Sequence, residues 1–188
     1  MEMPGGRFHH KLLARLLHRD PLEAASQIVE KAIRKRAWGH SHIDEAVLDV
    51  CHGNRRYTKA YGNSPGPERV FAVASIAKPM IATVVLLLRD RGQLSLQDRV
   101  TKFVPGMNEK DHEAISIQHL LTHTAGLPDN LPDIHEMLHR KVTLDEIFER
   151  ARKLPLLFFP GTHVSYSNLG VLFAQRIVEA ITNMPMRQ

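Results

Sequence analysis

Apolar positions in this chain recur at helical spacing in several stretches and at strand spacing in one. Leu12, Leu13, Leu16 and Leu17 stripe residues ~8–19, with Lys11, Arg15 and Arg19 among them. That pattern predicts an amphipathic helix that packs on the protein body rather than on a membrane. Asp20 is a good N-cap and Pro21 a good first helical residue, so a second helix is expected over ~21–37. Ala46-Val47-Leu48-Asp49-Val50-Cys51 and Arg56-Tyr57-Thr58-Lys59-Ala60-Tyr61 flank His52-Gly53-Asn54-Arg55. This reads as a β-hairpin closed by a Gly-Asn turn. Phe71-Ala72-Val73-Ala74 reads as a short apolar strand. The run after it, through Leu88, has a helical pattern starting at about Ser75. Pro79 fits because proline is tolerated in a first helical turn, and Gly92 is a suitable stop.

Further on, Ser95-Leu96-Gln97-Asp98 resembles a capping box, and Thr143-Leu144-Asp145-Glu146 is a second one that starts a helix to ~153. Residues ~117–122 make a short helix before a Gly126–Pro132 loop. Pro160-Gly161 turns the chain into an apolar final helix over ~169–182. The order of helices, hairpin and then mostly helices predicts an α+β fold: a helical region plus a small antiparallel sheet. No repeat or low-complexity tract interrupts it.

Composition narrows the function classes. The chain has 188 residues, 43% hydrophobic and 24% charged, the profile of a globular domain with a sizeable core. A net charge of +5 raises the question of nucleic acid. The basic residues are dispersed and aromatics are only 6%, so no nucleic-acid partner is expected. Cys51 is the single cysteine, which rules out an intrachain disulfide and a cysteine-rich metal site. Its apolar run predicts a buried, inert thiol. Met80 to Leu88, broken by Thr83, is too short for a membrane span. No apolar leader follows Met1. As written, the chain reads as cytoplasmic, or as exported if the gene starts further upstream.

Two small constellations carry chemistry. Ser75 and Lys78 lie three residues apart, on one face at a helix start. A serine hydroxyl needs a base within hydrogen-bond reach to act as a nucleophile. The positive end of the helix favours developing negative charge and a neutral lysine. The bland reading of the pair is an N-cap serine with a solvated lysine. Tyr166-Ser167-Asn168 precedes the last helix. A tyrosine beside an ammonium can shuttle protons, and an asparagine two residues on offers a donor and an acceptor to an amide-like group. The bland reading here is a packed tyrosine with Asn168 as N-cap.

Taken together, four ordered segments resemble the serine β-lactamase and penicillin-binding-protein superfamily, in its class C-like branch of β-lactamase-related esterases and D-Ala-D-Ala carboxypeptidases. They are Phe71-Ala72-Val73-Ala74-Ser75-Ile76-Ala77-Lys78; Arg91-Gly92-Gln93-Leu94-Ser95-Leu96-Gln97-Asp98-Arg99-Val100; Ile117-Gln118-His119-Leu120-Leu121-Thr122-His123-Thr124-Ala125-Gly126-Leu127-Pro128; and Phe159-Pro160-Gly161-Thr162-His163-Val164-Ser165-Tyr166-Ser167-Asn168-Leu169-Gly170. The resemblance implies a β-lactamase/transpeptidase-like fold and a set of roles. Ser75 would be the acylated nucleophile and Lys78 its base. Tyr166 would shuttle protons, and Asn168 would bind the substrate amide or carbonyl. His119 and His123 are read as structural. No cofactor and no metal are implied.

The family's third motif, Lys-Thr-Gly or His-x-Gly, does not occur after Asn168. The chain is therefore expected to match only the N-terminal part of the family domain. That predicts a helical extension over 1–40 and a truncated β-lactamase-related domain over 41–188. An open sheet edge would favour self-association, and the isolated chain would be weakly active or inactive. Asn183 stands where the family usually has glycine. The substrate class stays open among β-lactam, amide or peptide, and ester. Two other readings compete: an inactive homologue kept as a binding remnant, and a zinc protease through His135-Glu136-Met137-Leu138-His139, which matches His-Glu-x-x-His without a visible third ligand.

Overall fold

In a computed structural model of the chain, residues 20–34, 45–63, 66–107 and 110–186 are described. The helix expected over ~8–19 lies outside them. The chain divides into two compact units, Met1–Ala72 and Val73–Gln188.

The first unit pairs one helix with one hairpin. Helix α1, Pro21–Arg34, is opened by Asp20, whose Oδ1 accepts the Leu22 N–H at 3.1 Å. Strands β1, Glu45–His52, and β2, Arg55–Gly62, pair antiparallel with Val47 opposite Ala60 and His52 opposite Arg55. Of the two loop residues, only Gly53 has a positive φ, at +58°, the pattern of a type II′ turn. The buried Ser26 of α1 sits between two tyrosines of β2: its Oγ lies 2.8 Å from Tyr61 OH and accepts from Tyr57 OH at 3.0 Å. Cys51 is exposed, contrary to the expectation of a buried thiol. Strand alternation explains this, since Cys51 lies on the same outward face as the exposed Asp49.

The second unit is helical. No strand forms at Phe71–Ala74. Phe71 and Val73 are 40% and 45% exposed, and Ala74 takes φ +45°, which a strand does not accommodate. Residues Ala74–Ile76 instead make one 3₁₀ turn, which leads into α2, Ala77–Asp90. Gly92 ends α2 as expected. At φ +71° its N–H reaches the Arg89 carbonyl while the Gln93 N–H reaches that of Leu88, a Schellman closure. The Ser95/Asp98 pair makes its side-chain bonds but caps a turn, with no α-helix behind it.

Short helices α3, Ile117–Leu121, α4, Ile134–His139, and α5, Leu144–Ala151, follow. The final helix α6 is Asn168–Thr182 and ends on Asn183 at φ +53°. Its apolar face carries the fully buried Phe173 and Ile177, which join Val85, Leu120, Ile117, Leu127 and Met137 in one core. Helices α2, α3 and α5 all pack on α6. The fold is α+β. Among the described residues, no helix is long and apolar enough to cross a membrane.

Candidate active site

The site lies within the second unit, where the start of α2 meets the loop that enters α6. The 3₁₀ turn presents Ser75, and Lys78 follows as the second residue of α2, one turn along the same face. The entry to α6 is held by Ser167, which is the N-cap in place of Asn168: its Oγ accepts the Gly170 N–H at 2.9 Å and donates to the Pro128 carbonyl at 2.7 Å. That leaves the Asn168 side chain free to turn toward α2.

Two loops are clamped together to place Tyr166. Gly126 passes close to the backbone of Phe158 and accepts the Leu157 N–H at 2.8 Å, and the Gly161 N–H donates to Thr124 at 2.8 Å. His123 sits at φ +57°. Its carbonyl accepts the Ser165 N–H at 2.9 Å, and its Nδ1 accepts the Ser167 N–H at 3.2 Å. Its ring lies 4.7 Å from that of Tyr166, between those two bonds in sequence.

All four residues named from the motifs converge. Lys78 Nζ donates to Ser75 Oγ at 2.9 Å and to Asn168 Oδ1 at 2.7 Å. Ser75 Oγ lies 2.7 Å from Tyr166 OH. The nearby Lys78 ammonium and then the Ser75 hydroxyl, which is bonded to the phenol, hold Tyr166 below the usual tyrosine value of 10.0. Such a phenol gives up its proton more readily than a free one. Lys78 and His123 also border an apolar cavity of about 340 Å³ between α2, α3 and α6.

Two histidines have separate work. Ser116 caps α3 by accepting the His119 N–H, while its own N–H donates to His119 Nδ1. Burial, then the nearby Arg99 charge, holds His119 below its ordinary 6.5, which suits a ring that accepts. His119 is therefore a capping residue, and His123 is the one that touches the site. Asp129 was not singled out by the motifs. It bonds Asn168 from 39 positions away, and its only sequence signal is that it follows Gly126-Leu127-Pro128. His135 and His139 lie exposed on α4. Among the described residues, no group of three or more His, Cys, Asp or Glu is placed to hold a metal.

Residues 29–188 match the model of the Beta-lactamase family. "Esterase EstB" of Burkholderia gladioli is 31% identical over 182 residues, covering 85% of this chain and 45% of its own length. "Penicillin-binding protein 4*" of Bacillus subtilis is 31% identical over 160 residues, covering 78% of this chain and 34% of its own. The structure of a D-stereospecific amidohydrolase from Streptomyces sp. overlies 82% of this chain and 49% of its own, with TM-score 0.69 and 28% identity. The chain thus spans less than half the length of each of these relatives.

Proposed function

We propose, because the chain belongs to the Beta-lactamase family, that it carries the nucleophile half of a serine hydrolase site that works through a Ser75 acyl-enzyme on an amide, β-lactam or ester. Membership makes a serine hydrolase the coarse reading, and the residue roles and substrate are our own inference. The division into an extension over 1–40 and a hydrolase portion over 41–188 belongs to the same reading. So does self-association through the edges of the hairpin.

One observation carries the reading: Ser75 Oγ is bonded at once to an amine and a phenol, at 2.9 and 2.7 Å. In acylation, Ser75 Oγ attacks the substrate carbonyl carbon and its proton passes to the base formed by Lys78 and Tyr166. The tetrahedral adduct collapses, and Tyr166 returns the proton to the departing alcohol or amine. The acyl group remains on Ser75 as an ester. Water then attacks that ester, its proton goes to Tyr166, and the acid leaves as Ser75 is reprotonated. Asn168 holds Lys78 and has one amide hydrogen left for a substrate oxygen.

A second reading, a non-catalytic homologue that binds without turnover, rests on the chain spanning 45% and 34% of its curated relatives. Mass spectrometry after incubation with an activated ester or a penicillin-like probe separates the two. The hydrolase reading expects a slow adduct on Ser75 that is absent in Ser75→Ala, nearly absent in Lys78→Ala and slower to turn over in Tyr166→Phe. No adduct at any probe concentration would favour the binding homologue.

A further inference from the structure

Asp129 stands behind Asn168 and touches the start of α6 four times, twice through its carboxylate and twice through its carbonyl. Asp129 Oδ1 accepts from the Asn168 N–H at 3.1 Å and from Asn168 Nδ2 at 2.8 Å. The Asp129 carbonyl accepts the N–H groups of Asn168 and Leu169, at 3.1 and 3.2 Å. The backbone contacts alone would satisfy the helix end. The bond to Nδ2 has another consequence.

An asparagine side chain can point either way, and its partners decide which end holds the oxygen. An ionised carboxylate only accepts, so the end that faces Asp129 is the NH₂. An ammonium only donates, so the end that faces Lys78 is the oxygen, 2.7 Å away. One orientation satisfies both neighbours. The reverse would set oxygen against carboxylate and NH₂ against ammonium, two repulsive contacts in place of two charge-assisted bonds.

We propose that Asp129 is a positioning residue for the Ser75 site: its carboxylate locks the Asn168 amide with Oδ1 on Lys78, which keeps the amine aimed at Ser75. Deprotonated Lys78 would still donate one hydrogen to Asn168, leaving its lone pair to receive the Ser75 proton. The second Nδ2 hydrogen of Asn168 stays available to a substrate oxygen. The proposal rests on the serine-hydrolase reading for its kinetic consequence, and on geometry alone for the lock. Asp129 also bears on Tyr166: its charge opposes the lowering by Lys78 and Ser75. The groups that face the phenol are Lys78, Ser75 and the His123 ring.

The test compares Asp129→Ala with Asp129→Asn in the full 188-residue chain. The alanine removes the contact. The asparagine keeps the shape and an acceptor for the helix end but no longer dictates which way Asn168 points. Two-dimensional ¹H–¹⁵N spectra read the Asn168 side-chain NH₂, assigned by its loss in Asn168→Asp. The rate of Ser75 labelling by 4-nitrophenyl acetate, followed against pH, reads the site. In Asp129→Ala the NH₂ signals are expected to move toward those of a free amide. Labelling should fall about tenfold or more, the worth of a hydrogen bond to a charged group. In Asp129→Asn, labelling should fall less, because an acceptor for the helix end is kept. A purely capping role would leave the Asn168 side-chain NH₂ signals unmoved. Unchanged Asn168 signals in a folded Asp129→Ala chain would overturn the proposal. So would labelling that falls only in step with the unfolded fraction. If Asp129→Ala does not fold, Asp129→Asn decides by the same two readings. If the unaltered chain is never labelled, the hydrolase reading fails, and the spectra still decide whether Asp129 orients Asn168.

Discussion

At the scale of single residues, one proton and one hydrogen atom carry unusual weight. His119 Nδ1 must be unprotonated to accept the Ser116 N–H, and burial followed by Arg99 lowers its affinity for a proton. The sign follows from that lowering. The folded chain binds this proton less readily than the unfolded chain, so the stabilisation is present above 6.5 and is lost as pH falls through 6.5 toward the lowered folded value. Urea midpoints are expected to drop between about pH 7.5 and 5.5, and the drop should be smaller in His119→Gln; equal slopes would contradict this account. Gly126 is limited by a hydrogen atom's worth of space. Its φ is +79°, and a Cβ there would lie 2.2 Å from the Phe158 carbonyl oxygen. Gly126→Ala should therefore cost more than the roughly 1–3 kcal/mol of a strained left-handed residue alone, read as a lower thermal midpoint. Because Gly126 O also holds Leu157, labelling of Ser75 should slow as well.

At the scale of elements, α6 is where packing and site meet. Its buried face supplies the core through Phe173, and its first turn supplies Asn168. Phe173→Ala is expected to cost about 3–5 kcal/mol, the range for deleting a buried aromatic ring. Chemical denaturation measures it, and a cost below about 1 kcal/mol would mean that the helix is not packed as described. Ser167→Ala removes the α6 cap and strands the Pro128 carbonyl, which together should cost about 2 kcal/mol. The same change frees the turn between Tyr166 and Asn168, so it should slow Ser75 labelling beyond what the lost stability explains. Helix α2 contributes differently. Its start is uncapped by any side chain, and its Schellman end at Gly92 fixes where it stops. Ser75 is held by its partners Lys78 and Tyr166 rather than by a cap of its own.

At the scale of the whole chain, the hairpin bears on association. Neither outer edge of β1 or β2 is paired with a further strand among the described residues. Unpaired edges recruit other strands, so sedimentation velocity is expected to show mass rising with concentration; a monomer at every concentration would remove self-association from the reading. Local rules made much of this architecture legible. Asp20 before Pro21, Gly53-Asn54 between alternating runs, Thr143 before Glu146, and Gly92 and Asn183 as stops each act within a few residues. Motif spacing also brought Ser75, Lys78, Tyr166 and Asn168 forward as a set. Where local pattern failed, a distant partner was decisive. Phe71–Ala74 is apolar enough for a strand, yet among the described residues no neighbouring strand takes up its backbone groups, and the chain turns at Ala74. Cys51 looks buried in its run, but the side of the hairpin that it occupies is set by packing against α1. The sequence by itself determined α1, α2, α3, α5 and α6, the hairpin and the residue types of the site, because those depend on short-range sterics and periodicity. Only the tertiary structure decided that Asp129 meets Asn168 across 39 positions and that His123 lies on Tyr166 across 43, because no local rule relates residues whose contact is made by the packing between them.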